Sequence, residues 1–194
     1  MSKKIYLFSL VLLALAFTAC SETEEVSRYD NWQARSEAFI DSIANVYNSA
    51  ENKALPLDDP ERIHAIKDET NGQWIYVKKL EEGKGTELPV YTSTISAYYR
   101  MSYFNGDVVQ QNYTGTEPTA LDSPATFVLN SPDPNVGSVI SGWSYTLTHM
   151  KVGDFWTLYI PYQSGYGSGT GPNGDLQPYS ALVYNVKLEK IVER

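Results

Sequence analysis

The residues of this chain best suited to chemistry are aromatic and carry almost no charge. Val139-Ile140-Ser141-Gly142-Trp143 is followed by Gly165-Tyr166-Gly167 and then by Leu182-Val183-Tyr184. An indole and two phenols among small apolar neighbours suit one half-open cavity, because such rings bury an apolar body while keeping a polar handle available. A cavity built this way works by shape, desolvation and hydrogen bonding. It offers no nucleophile.

Other chemistries find little support. The two histidines, His64 and His149, lie far apart with no ligand spacing around either, so no metal site is expected. His149 reads as a surface residue. No strand–elbow–helix signature accompanies a candidate serine nucleophile. Gly169-Thr170-Gly171-Pro172-Asn173-Gly174 matches the glycine spacing of a dinucleotide loop. It carries an internal proline and no helix follows, so it reads as a plain loop. Asp58-Asp59 and Glu81-Glu82 fall on turns, where neighbouring carboxylates diverge into solvent. No cofactor is expected.

The ends of the chain speak to location. Lys3 and Lys4 precede an apolar stretch that runs to Ala19 and Cys20. That stretch falls short of the ~20 residues a membrane-spanning helix needs and reads as a secretory signal over 1–19. Phe17-Thr18-Ala19-Cys20 resembles a bacterial lipobox, which implies that Cys20 is lipidated and anchors the mature chain to the outer membrane. Ordinary cleavage beside an incidental cysteine is the alternative. Ser21-Glu22-Thr23-Glu24-Glu25 resembles the acidic tags of surface lipoproteins in Bacteroides-like bacteria, and equally a solvated tether. Cys20 is the single cysteine, so no disulfide, thiol nucleophile or zinc knuckle is available. The formal charge of −8 becomes more negative once Lys3 and Lys4 are removed, which disfavours nucleic acid as a partner.

The elements that must hold the aromatic residues follow from periodicity. Asp30 with Gln33 resembles a capped helix start. Trp32, Phe39, Ile40, Ile43 and Tyr47 then form an apolar stripe over 30–47. Such a stripe must pack on the main domain, on a second copy as a homodimer, or on a membrane surface, in that order. Residues 51–72 are polar and punctuated by Pro56, Pro60 and Asn71-Gly72, and read as a linker. From Trp74 the pattern is β. Ile95, Ala97, Tyr99, Met101 and Tyr103 alternate with polar residues ahead of the Asn105-Gly106 hairpin signal. Phe127-Val128-Leu129 and 155–160 read as strands. Trp143, Leu147 and Met150 mark one short helix. In the last strand Leu182, Tyr184, Val186 and Leu188 face one side. The fold class is α+β, an antiparallel sheet curled around one short helix that covers one face. The organisation is a signal at 1–19, a tether with one helix over 20–72, and a domain over 73–194.

Over roughly 74–192 the chain resembles the FKBP-type peptidyl-prolyl cis-trans isomerases. The motifs that carry the resemblance are Val139-Ile140-Ser141-Gly142-Trp143, Met150-Lys151-Val152-Gly153-Asp154, Ile160-Pro161, Gly165-Tyr166-Gly167 and Leu182-Val183-Tyr184-Asn185-Val186-Lys187-Leu188, in the family's order. The resemblance implies a proline pocket with Trp143 as floor, Tyr99 and Tyr184 as walls, and Val139 and Ile140 as rim. It implies that the Ile140 N–H donates to the substrate. Tyr166 would offer its hydroxyl to the carbonyl before the proline, and Leu176 would close one side. The partners implied are proline-containing polypeptides, and the role is folding of exported proteins. Three positions depart from the family pattern. Val109-Gln110 stands where a Phe-Asp pair is usual, and Ala125 where a wall phenylalanine is usual. These departures imply a wider pocket and weakened isomerase activity. Their extreme is a non-catalytic peptide- or ligand-binding lipoprotein of the same fold.

Overall fold

The computed structural model describes residues 27–133, 136–137 and 139–194. The signal segment and Cys20 lie outside the described residues. The chain divides into two units, 1–30 and 31–194. In the first, the Asp30 carboxylate closes a turn by accepting from the Ser27 N–H at 3.0 Å. The second holds all the regular structure among the described residues.

Seven strands form one antiparallel sheet: β1 (Ile63–Lys67), β2 (Trp74–Glu81), β3 (Thr94–Tyr103), β4 (Val108–Gln111), β5 (Ala125–Val128), β6 (Phe155–Ile160) and β7 (Leu182–Glu193). Their order is β1-β2-β6-β7-β3-β4, and β5 also pairs with β3. Register decides which side chains share a face, since successive residues alternate. Val77, Leu158, Tyr184, Met101 and Gln110 are consecutive partners across five strands and so form one row. The row begins in the core and ends beside the aromatic residues singled out above. The short helix α3, which the structure places at Ser141–Leu147, covers this face with Trp143 and Leu147 buried against it. Each such large apolar side chain removed from water contributes about 1.5–3 kcal/mol. The helix ends before Met150, which is nonetheless fully buried in the turn that follows.

The short helix covers one face, and the N-terminal helix covers the other. There Tyr76 and Tyr159 are direct partners. The N-terminal helix α1 (Trp32–Asn48) lays Tyr47 on Tyr76 at 5.6 Å and Phe39 on Tyr159 at 6.1 Å between ring centroids. Trp32 packs edge-on against Tyr103 and donates its indole N–H to Ser180 Oγ at 2.8 Å. The apolar stripe is therefore used within the chain's own domain, the first of the three expected partners.

Two local readings are corrected. The helix does not start on an Asp30 cap. It starts at Trp32 behind Asn31, whose backbone is left-handed (φ 52°) and whose side chain makes no cap bond. Gln33 donates instead to Glu37 and to the Tyr162 hydroxyl. The stretch 51–72 contains the short helix α2 (Ala50–Ala54) and strand β1. The buried Asn52 amide explains why a strand begins there. Its Oδ1 accepts from the Ile63 N–H at 2.7 Å and its Nδ2 donates to the Ile63 carbonyl at 3.0 Å, as a neighbouring strand would.

Beyond β2, Gly83 lies against the turn before β6, where Asp154 accepts its N–H at 2.6 Å. A Cβ at Gly83 would overlap Val152 O, Asp154 N and the Gly153 carbonyl carbon, all of them backbone. Gly83→Ala is expected to destabilise the fold by about 2–3 kcal/mol. Gly137→Ala, with nothing within 4 Å of its Cβ, should stay within about 0.5 kcal/mol of wild type. Urea denaturation of the two variants side by side measures both.

Candidate functional site

Where α3 meets β3, β5 and β7, the sheet leaves an open cavity of about 420 Å³. Trp143 forms its floor, 3% exposed. Three rings surround the indole. Phe127 stands edge-on at 4.8 Å, Tyr184 is tilted at 5.9 Å, and Tyr99 is edge-on at 6.1 Å. Tyr99 and Phe127 also meet edge to face at 5.5 Å. Edge-to-face pairs of this kind add roughly 0.5–1.5 kcal/mol beyond their buried area and fix the ring positions.

Each ring is placed by the sheet. Tyr99 and Tyr184 face the α3 side because they alternate with Tyr98 and Arg100, and with Val183 and Asn185. Phe127 pairs with Ile95 and Ala125 with Ala97, so Phe127 stands on the same side as Ala125, one pleat along β5. This corrects the expected aromatic loss at Ala125. Phe127 supplies the wall ring, and the period of two allows it to do so from two residues away. Phe127, Thr126, Val128 and Pro172 were not anticipated as lining residues. Phe127 was legible only as part of a strand.

Val139, Ile140, Trp143, Tyr166, Tyr99, Tyr184 and Gln110 come together around the cavity. Val109, Ala125 and Leu176 do not line it. Val109 is half-buried on β4, and Leu176 is buried with its side chain packed against Gly171. Ile140 precedes α3 and gives its carbonyl to the N–H groups of Trp143 and Ser144. Its own N–H donates to no group among the described residues. Tyr166 follows the 3-10 turn Tyr162–Ser164, which is pinned where the Gly165 and Gly167 N–H groups both donate to the Tyr162 carbonyl.

Among the described residues no carboxylate, ammonium, guanidinium or imidazole lines this cavity. The tyrosines stay protonated. Burial pushes the Tyr184 hydroxyl well above its ordinary value, reinforced by its neighbours Tyr166 and Tyr99. Burial also raises Tyr166 and Tyr99. The proximity of the Tyr166 and Tyr184 hydroxyls lowers Tyr166 and raises Tyr184 further. The Trp143 indole N–H is buried without a partner.

A second concavity of about 330 Å³ is lined by Trp156, Lys79, Glu82 and Lys151. Its charges are already engaged with one another. Lys151 pairs with Glu82 at 2.9 Å, Lys79 lies over the Trp156 ring at 5.1 Å, and Asp154 accepts two backbone N–H groups. No cluster of metal-ligating residues occurs among the described residues.

An antiparallel sheet with one helix across its face thus encloses an uncharged, Trp-floored cavity. The model of the family described as FKBP-type peptidyl-prolyl cis-trans isomerase matches residues 85–189. The chain belongs to that family. Peptidyl-prolyl cis-trans isomerase Mip of Coxiella burnetii is 32% identical over 129 residues, 66% of this chain and 49% of that protein. The 22 kDa FKBP-type peptidyl-prolyl cis-trans isomerase of Escherichia coli is 31% identical over 113 residues, 58% of this chain and 48% of its own length. The chain thus spans about half the length of the curated relatives it matches. A crystal structure of a peptidyl-prolyl cis-trans isomerase from Pseudomonas syringae pv. tomato superposes with a TM-score of 0.52 at 25% identity, over 82% of this chain and 96% of that one.

Tyr184→Phe removes the donor that stabilises the Tyr166 phenolate, so the Tyr166 pKa should rise further above its ordinary value of 10.0. An alkaline titration followed by NMR at Tyr166 Cζ measures the shift. A fall would show that the Tyr184 hydroxyl does not stabilise the Tyr166 phenolate.

Proposed function

We propose that this chain is a peptidyl-prolyl cis-trans isomerase acting on exported polypeptides, held at the outer membrane through lipid on Cys20. The observation that carries the activity is the uncharged, Trp143-floored cavity with the Tyr166 hydroxyl at its rim and an Ile140 N–H that donates to no described group. The envelope location rests on the sequence around Cys20 alone.

The reaction needs no acid or base. Rotation about an X–Pro bond is opposed by amide resonance, with a barrier of about 18–20 kcal/mol. Water solvates the planar, dipolar amide better than the twisted one. An aromatic cavity withdraws that solvation, and selective binding of the twisted form lowers the barrier. In this reading the prolyl ring rests on the Trp143 indole between Tyr99, Tyr184 and Phe127, above the Val139 and Ile140 rim. The Tyr166 hydroxyl donates to the carbonyl before the proline. The Ile140 N–H donates to a carbonyl beyond it, which holds one side of the peptide while the other turns. Each ~1.4 kcal/mol of such differential binding gives a factor of ten in rate.

A protease-coupled X–Pro assay on the mature chain tests this. Trp143→Ala should lower kcat/KM by at least about tenfold, through the loss of a well-packed aromatic surface. Tyr166→Phe should cost roughly three- to tenfold, the worth of one neutral hydrogen bond. Wild type that quenches its tryptophan fluorescence with X–Pro peptides but does not turn them over would instead be a binding module.

The pH profile is a separate check. The cavity's titratable groups are tyrosines held above their ordinary value of 10.0 by burial. They keep their protons throughout neutral and mildly alkaline solution, so kcat/KM is expected to be flat from about pH 6 to 9. A bell-shaped profile in that window would require a general acid or base.

A further inference from the structure

We infer that Asp68 is a positioning residue for the prolyl site: its buried carboxylate ties the start of α3, and with it the Ile140 N–H, to the turn that presents Tyr166. The inference rests on the functional reading above but concerns a residue ahead of the family-matched segment, 85–189.

Asp68 ends β1 and opens the turn into β2, with its side chain fully excluded from solvent. A buried carboxylate is costly unless its lone pairs are satisfied. Here neutral donors do this, and no cation is paired with Asp68 among the described residues. Oδ2 accepts from Ser141 Oγ at 2.6 Å. Oδ1 accepts from the Thr70 N–H at 3.0 Å and from the Thr70 hydroxyl. Burial pulls the Asp68 pKa up, but the bonds from Ser141 and Thr70, with the nearby Ser164 hydroxyl, outweigh it and hold it below its ordinary value.

The destinations of these bonds matter more than their number. Ser141 is the first residue of α3 and directly follows Ile140. Ser164 closes the 3-10 turn two residues before Tyr166, and it is fully buried. The same β1–β2 turn reaches that element a second time, since Asn71 Nδ2 donates to Gln163 O and to Ser164 Oγ, both at 3.0 Å. The helix and the turn also touch directly. A Cβ at Gly142 would sit 2.6 Å from Ile160 Cγ2 and 3.0 Å from Ser164 O. With no slack between them, a shift at Asp68 reaches both donors of the cavity. A turn that needed only to close a hairpin could use asparagine at this position. A fully buried carboxylate reaching into α3 and the Tyr166 turn does more.

The test uses Asp68→Asn, Ser141→Ala and Ser141→Thr in the full mature chain, with two readouts. In ¹H–¹⁵N spectra, Asp68→Asn and Ser141→Ala should shift or broaden the amides of both Ile140 and Tyr166, while Ser141→Thr, which keeps the hydroxyl, should restore them. In the X–Pro assay the first two variants should lose about tenfold in kcat with KM within about twofold, because small misplacements act on the bound complex. Ser141→Thr should recover most of that loss. Spectral changes confined to 68–73, or a Ser141→Thr variant as impaired as Ser141→Ala, would overturn the inference. If Asp68→Asn unfolds the chain, Ser141→Ala, which deletes one hydroxyl, decides the matter. If wild type has no isomerase activity, the functional reading falls and the amide spectra alone judge Asp68.

Discussion

Everything at the site depends on β7 being a central strand. Paired with β3 on one side and β6 on the other, it has no free edge over its first half, and a strand held on both edges cannot slip without moving its core residues to the wrong face. Leu182, Val186 and Leu188 fill the core, and Tyr184 alternates in step with them. The ring that forms a wall of the cavity is therefore held in place by hydrophobic burial elsewhere on the same strand. Tyr99 is locked by the same ladder, because its direct partner is Val186. Trp143 completes the arrangement from above, on a helix too short to be stable alone. It is held by its packing on these rings and by Ser144 Oγ, which donates to the Leu129 carbonyl.

This dependence explains what the sequence reveals and what it hides. Alternation on β3 and β7 is long and regular, so the faces and the residues Tyr99 and Tyr184 are legible. The short helix carries a three-residue apolar spacing around Trp143 and is legible too, although its last apolar residue, Met150, lies past its end. β1 is not legible, because Ile63-His64-Ala65-Ile66-Lys67 shows no period of two and is bounded by polar turns. A side-chain amide eleven residues back in the chain starts that strand. Asn52 carries no sign of this locally. Asp68 in Asp-Glu-Thr-Asn-Gly looks like any solvated turn carboxylate, and only the third dimension shows Ser141 and Ser164 closing over it. Phe127 was hidden by position matching. A wall ring absent at Ala125 reappears one pleat along, because the cavity responds to a face of the strand rather than to a single position.

The charge-free cavity poses a physical question about Tyr166. The resemblance places a carboxylate where Gln110 stands, and a carboxylate can only accept hydrogen bonds. Placed near a phenol, it competes with a substrate carbonyl for the phenolic proton. Tyr184 acts in the opposite sense. Its own proton is held by burial, and its hydroxyl lowers Tyr166. A hydroxyl that accepts one bond is polarised toward donating another, since hydrogen bonds in a chain strengthen each other in a low-dielectric setting. Gln110, which lines the same cavity, can add a neutral hydrogen bond without introducing charge. For a reaction that runs on desolvation this has a clear merit. A charge on the rim would draw water toward the amide, whereas a pair of neutral phenols keeps a directed donor at the site and lets the cavity stay apolar.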